Sequence, residues 1–124
     1  YSWYNSFIEL GESLDQLKEI IDEPENATSY VKDAAIQRFE FSVELFWETL
    51  KKICIAEQFD VTSPRSVLQK SFEMDFISDE SLWHMMLDDR NSTSHTYTKS
   101  VANEIYYRLE PYYKAMNKAY QQIK

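Results

Sequence analysis

Glycine occurs once, at Gly11, and there is no Asn-Gly pair. Strand-rich folds of this size turn on such residues, so their scarcity argues against a sandwich or barrel. Proline occurs three times, at Pro24, Pro64 and Pro111. Cysteine occurs once, as Cys54 inside an apolar helical pattern. No disulfide can form within the chain, so a reducing, cytoplasmic compartment is expected. No CxxC or Cys/His cluster calls for a metal, and no motif calls for a cofactor. No run of about 18 apolar residues is present, so no membrane span is expected. A Gly-rich phosphate loop, a GxSxG elbow and an HExxH pair are all missing, which removes the common hydrolase and kinase chemistries. The chain begins at Tyr1 rather than Met. It reads as trimmed, and an upstream leader stays open.

What is present is long, regular and acidic. The 124 residues suit one domain, 1–124, with a single hydrophobic core. Few breakers and many helix formers predict an all-α protein. The net charge of −8 opposes generic nucleic-acid binding. Its distribution is uneven. Residues 1–89 hold 7 basic and 19 acidic groups, whereas residues 90–124 hold 6 basic and 2 acidic. The last third is therefore locally positive.

Apolar spacing of 3 and 4 marks the elements. Phe7, Leu10, Leu14, Leu17 and Ile21 predict a first helix from about Trp3 to Ile21, ended by Pro24. Asn26 or Ser29 caps a second over about 29–56, with Ile36, Phe39, Val43, Phe46, Leu50 and Ile53 as its stripe. Phe41, Leu45, Trp47 and Cys54 broaden that stripe, so this helix is expected at the centre. Ser63-Pro64 reads as an N-cap with proline in the first turn of a short third helix carrying Val67, Leu68 and Phe72. After a break at 75–77, Ser78 or Asp79 caps a fourth helix with Leu82, Trp83, Met86 and Leu87 inward. Thr98 caps a fifth, which runs to the end with a kink expected near Pro111. The fold expected is a single-domain antiparallel helical bundle of about five helices, with two long antiparallel helices in its middle.

Bland readings suffice for several polar residues. The carboxylates of the first helix read as a solvated face, Asp88 and Asp89 as cap or surface groups, and His84 as a packed or surface histidine. The tyrosine pairs 106–107 and 112–113 read as core and rim, with some interface character.

The stretch Arg90-Asn91-Ser92-Thr93-Ser94-His95-Thr96-Tyr97 is of another kind. It gathers a guanidinium, an imidazole and a phenol within eight residues. A guanidinium suits a phosphodiester, and a histidine moves protons near neutral pH. Together they could cleave RNA without metal, the 2′-OH attacking and the arginine stabilising the transition state. On a straight helix, Arg90 and His95 stand about 140° apart. Convergence needs a bend within 91–94, where helix propensity is poor, or a second chain. A capping or structural role is the competing reading.

The spacing Arg90-x4-His95-x-Tyr97 resembles the Arg-x4-His-x-Tyr form of the HEPN superfamily motif. The run Leu82 to Tyr97, with Ala102 beyond it, is similar to the nucleotidyltransferase substrate-binding protein branch. So is the run Phe39-Glu40-Phe41-Ser42-x-Glu44-Leu45-x-Trp47-x3-Lys51. This likeness covers nearly the whole chain. It implies an all-helical homodimer with the Arg/His motif near the dimer cleft and a minimal nucleotidyltransferase as partner. It further implies the toxin of a toxin–antitoxin pair. Arg90 and His95 would be the catalytic pair of a metal-independent RNase, with Arg90, Asn91 and His95 binding nucleotide or RNA. Tyr97 would accept a nucleotidyl group from the partner. The alternative is a non-catalytic nucleotide- or substrate-binding subunit of a nucleotidyltransferase complex. A helical interaction domain with an inherited cap is the third reading.

Overall fold

A computed structural model describes residues 2–22, 28–95 and 97–124, with the side chains of all of these except Ser2, Ser94 and His95. The architecture is an all-α bundle of five helices: α1 (Ser2–Ile21), α2 (Ser29–Ala56), α3 (Pro64–Glu73), α4 (Glu80–His95) and α5 (Lys99–Ile123). No strand occurs among the described residues.

The helix starts obey local chemistry. Ser63 and Ser66 form a reciprocal capping box ahead of α3, with Pro64 in its first turn. The Asp79 carboxylate accepts from the Leu82 N–H at 3.1 Å to open α4. Thr98 accepts from Val101 N–H to open α5. At α2 the cap is Thr28, not Ser29, which is already helical. Asn26, the other expected cap, lies outside the described residues.

The stops show how a chain so poor in glycine ends its helices. Gln58 and Asp75 adopt positive φ, 67° and 63°. Behind them Phe59 N–H reaches the Cys54 carbonyl and Phe76 N–H the Ser71 carbonyl, both at 2.9 Å. These are the backbone bonds of helix ends where glycine is usual. A side chain in this region costs roughly 1–2 kcal/mol.

Packing puts α2 at the centre, against all four other helices. It is antiparallel to α1: Ser42 meets Ser13, and Lys52 meets Ser6. It is antiparallel to α4 as well, where Phe46 packs edge-on against Trp83 at 4.9 Å. The other long helix, α5, runs parallel to α2, since Lys32 meets Asn103 and Phe39 stacks on Tyr112. The expected antiparallel pair of long middle helices is therefore corrected to α2 with α1 and α4. The core holds Leu10, Leu14, Leu17, Ile36, Phe39, Phe46, Leu50, Trp83, Met86, Ile105, Leu109 and Met116.

Three side chains depart from the expected stripes. Ile20 closes the buried face of α1, and Ile21 is only half-buried. Phe41 is 59% exposed and Phe72 is exposed too. α5 continues through Pro111 to Ile123 without interruption. Pro111 is on the exposed face, where water can replace the donor missing at the carbonyl four residues back. Gly11 allows close packing: a Cβ there would lie 2.6 Å from the Tyr120 hydroxyl, so the Tyr120 ring would have to shift.

Gln58→Gly is expected to stabilise the fold by about 1 kcal/mol, because glycine relieves the left-handed strain. Urea unfolding of the two proteins checks this.

Candidate functional site

One face of α2 carries Asp33, Gln37, Glu40, Phe41 and Glu44 at helical spacing, a polar stripe about 16 Å long. Arg90 and Tyr97 meet its two ends, in the opposite chain direction. At one end, the Arg90 guanidinium is 2.8 Å from the Glu44 carboxylate. At the other, the Tyr97 hydroxyl donates to Asp33 Oδ1 at 2.6 Å. Sequence-remote carboxylates thus engage both ends of the stretch.

The Arg90–Glu44 pair stands between two concavities. A cavity of about 570 Å³ between α1, α2 and α4 is lined by Gln16, Arg38, Glu40 and Phe41 as well as the pair. A smaller one of about 310 Å³ lies toward α3, lined by Trp47, Arg65, Leu87 and Asn91 with the same pair. Asn91 therefore belongs to the second concavity, and Tyr97 to neither. Tyr97 lines a separate groove of about 640 Å³ with Lys32, Asp33, Lys99 and Asn103.

No bend separates Arg90 from His95. α4 is helical from Glu80 through His95, so of the two routes to convergence, a bend within 91–94 or a second chain, the bend is not present. Thr93 explains how the segment stays helical: it is buried, and its hydroxyl donates to the Arg90 carbonyl at 2.8 Å. Helical backbone puts positions 90 and 95 about 140° apart around the axis. The His95 side chain lies outside the described residues.

Asp89, read from sequence as a cap or surface group, is instead a buried anchor at 8% exposure. Arg108 grips it with Nε and Nη2, both at 2.8 Å, and the buried Tyr112 hydroxyl donates to it as well. The Asp89 hydrogen bond pushes the Arg108 guanidinium above its usual value. Burial, then Asp89, pushes the Tyr112 phenol up. Asp88 faces α3 and meets Arg65 at 2.5 Å. His84 joins the same cluster, with Nδ1 2.6 Å from Arg65 and Nε2 3.3 Å from Glu80. An arginine has only donors to offer, so this geometry makes His84 Nδ1 an acceptor. Among the described residues, no group of three or more His, Cys, Asp or Glu side chains could hold a metal ion. Likewise no described helix is long and apolar enough to cross a membrane.

Sequence reasoning missed Asp33, Glu44, Asp89 and Arg108 as partners. A signal existed for the first two: Asp33, Glu40 and Glu44 recur every 4 to 7 residues on the side of α2 that its apolar stripe leaves open.

A family model, "Nucleotidyltransferase substrate binding protein like", matches residues 3–124. The chain belongs to that family. Among solved structures, this family member is similar to a Thermus thermophilus protein, at 32% identity and a TM-score of 0.84. That likeness covers 93% of this chain and 98% of the other. It is also similar to a Haemophilus influenzae protein described as having the fold of a substrate binding domain of a nucleotidyltransferase. There the identity is 24% and the TM-score 0.66, over 98% of this chain and 96% of that one, and the likeness shows the fold alone. No curated protein matches this family member.

Asp89→Asn is expected to destabilise the fold by about 3 kcal/mol. This is the lower end for breaking a buried ion pair, because Arg108 remains partly in water; urea denaturation measures it. Alkaline pH tests Tyr97, whose phenol is pushed up to about 12, first by burial and then by Asp33. An unfolded tyrosine ionises near 10. Between about 10 and 12 the unfolded chain therefore loses this proton first, and stability falls as pH rises. Tyr97→Phe is expected to shallow that fall in unfolding measured at pH 9, 10 and 11.

Proposed function

We propose that this chain is the substrate-binding subunit of a nucleotidyltransferase complex, with the transferase activity supplied by its partner. The family match across residues 3–124 carries this reading. The chain acts as one domain over residues 1–124, in the cytoplasm, in keeping with its single buried free cysteine. Its partner is a small nucleotidyltransferase, to which it presents the 90–97 face. Arg90, Asn91 and His95 are the substrate-contacting residues of that face. Tyr97 is the acceptor of a nucleotidyl group, and its half-exposed phenol supports that role. Assembly as a homodimer supplies a second copy of α4, the remaining route by which Arg90 and His95 can act on one phosphate.

The second reading is a toxin that cleaves RNA without metal through Arg90 and His95. It draws on the motif at 90–97.

The test pairs the purified chain with the nucleotidyltransferase that co-purifies from its native source, together with α-labelled ATP. Label is expected on the wild-type chain and is expected to be absent from Tyr97→Phe. Equal labelling of both would remove Tyr97 from the proposal. In the same preparations, freed of partner and held in chelator, RNA is expected to stay intact. Cleavage by the wild type that His95→Ala abolishes would install the nuclease reading instead.

A further inference from the structure

The groove around Tyr97 has a chemistry of its own. In a chain of net charge −8, its lining sets two ammonium groups, Lys32 and Lys99, against one carboxylate, Asp33. Ser29 and Asn103 add polar groups. The Lys32 ammonium is held from several sides. It donates to Asn103 Oδ1 at 3.3 Å and stands 5.4 Å from the ring centres of Tyr106 and Tyr107. The first turns of α2 and α5, at Ser29 and Lys99, both border the groove. Their dipoles add positive potential there.

Within this positive setting sits a phenol already bonded to a carboxylate. Tyr97 is 48% exposed and lines the groove. Its proton is held more tightly than an ordinary tyrosine's, with a value of about 12. At neutral pH that leaves only about one phenol in 10⁵ ionised. An attack by this oxygen therefore needs a base at hand, and Asp33 Oδ1, at 2.6 Å, is within reach of the proton. Glu40 adds negative potential from the neighbouring cavity.

We propose that Asp33 is the proton acceptor for Tyr97, and that the groove holds the triphosphate of an incoming nucleotide between Lys32 and Lys99. The inference rests on the reading of Tyr97 as a nucleotidyl acceptor. In the step, the Tyr97 phenol oxygen attacks the α-phosphorus of a nucleoside triphosphate. An oxygen–phosphorus bond forms there. The bond from the α-phosphorus to the oxygen bridging to the β-phosphate breaks, and its electron pair leaves with pyrophosphate. The phenol proton passes to the Asp33 carboxylate. The products are a tyrosyl nucleoside monophosphate ester and pyrophosphate. Protonation also removes the groove's one negative lining charge, so Lys32 and Lys99 face the departing pyrophosphate unopposed.

Two measurements test this without a transferase or a nucleotide, so they fail or succeed independently of the labelling experiment above. The first is acetylation by N-acetylimidazole between pH 6 and 8, mapped by mass spectrometry, with the exposed Tyr4 as internal reference. A phenol without a base reacts about tenfold faster per pH unit as its phenolate fraction rises. One with an ionised carboxylate beside it does not. The Tyr97 to Tyr4 reactivity ratio is expected to fall with pH in the wild type and to stay level in Asp33→Asn. The same trend in both proteins would overturn the role of Asp33. The second is binding of inorganic tripolyphosphate, followed by calorimetry. A Lys32→Gln, Lys99→Gln double variant is expected to bind at least tenfold more weakly, and Lys118→Gln to bind as the wild type does. No binding by the wild type, or equal binding by the double variant, would overturn the phosphate site.

Discussion

A carboxylate can be buried only where charge and hydrogen bonds are buried with it. Asp89 meets that condition through Arg108 and Tyr112 of α5. Tyr112 in turn is fully buried, with its ring stacked 5.4 Å from Phe39 of α2. One side chain therefore joins three helices, its ring satisfying the core and its hydroxyl the carboxylate. The rotation of α4 about its own axis follows, because Asp89 must face α5. Arg90, the next residue, then points about 100° further round, toward α2 and Glu44.

The same arrangement decides what becomes of the charge asymmetry. The acidic first part of the chain and its basic last part could have met as a bare basic patch beside an acidic surface. Instead Arg90 pairs with Glu44 and Arg108 with Asp89. The positive groups that line the groove beside Tyr97 are Lys32 and Lys99.

The separation of the 90–97 stretch into distinct concavities has a bearing on relatives with the same fold. A bundle can be shared at 24% identity, while the chemistry depends on which side chains line each concavity. In this chain Arg90 and Asn91 serve one region, and Tyr97 serves another about three turns of α2 away. A motif that is contiguous in sequence is therefore divided in space, because α4 stays helical through Thr93 and His95.

Much of the fold was legible from residues within a few places of each other. Caps at Ser63, Asp79 and Thr98, the apolar stripes of α2 and α5 and the position of α3 all follow from local hydrogen bonding and helical periodicity. Local reasoning failed where a tertiary contact changed the balance. Poor propensity at 91–94 suggested a break, yet burial of Thr93 and its bond to the Arg90 carbonyl keep the helix intact. Phe41 fitted an apolar stripe but is largely exposed. Asp89 looked like a surface acid until α5 brought Arg108 and Tyr112 to it. The sequence by itself determined the five helices and singled out Arg90, His95 and Tyr97, since both rest on patterns a short window contains. Only the tertiary structure decided their partners. Asp33 and Tyr97 are 64 residues apart, and Asp89 and Arg108 are 19 apart. Which carboxylate meets which cation is set by how core packing rotates each helix, a property of the whole bundle that no short window holds.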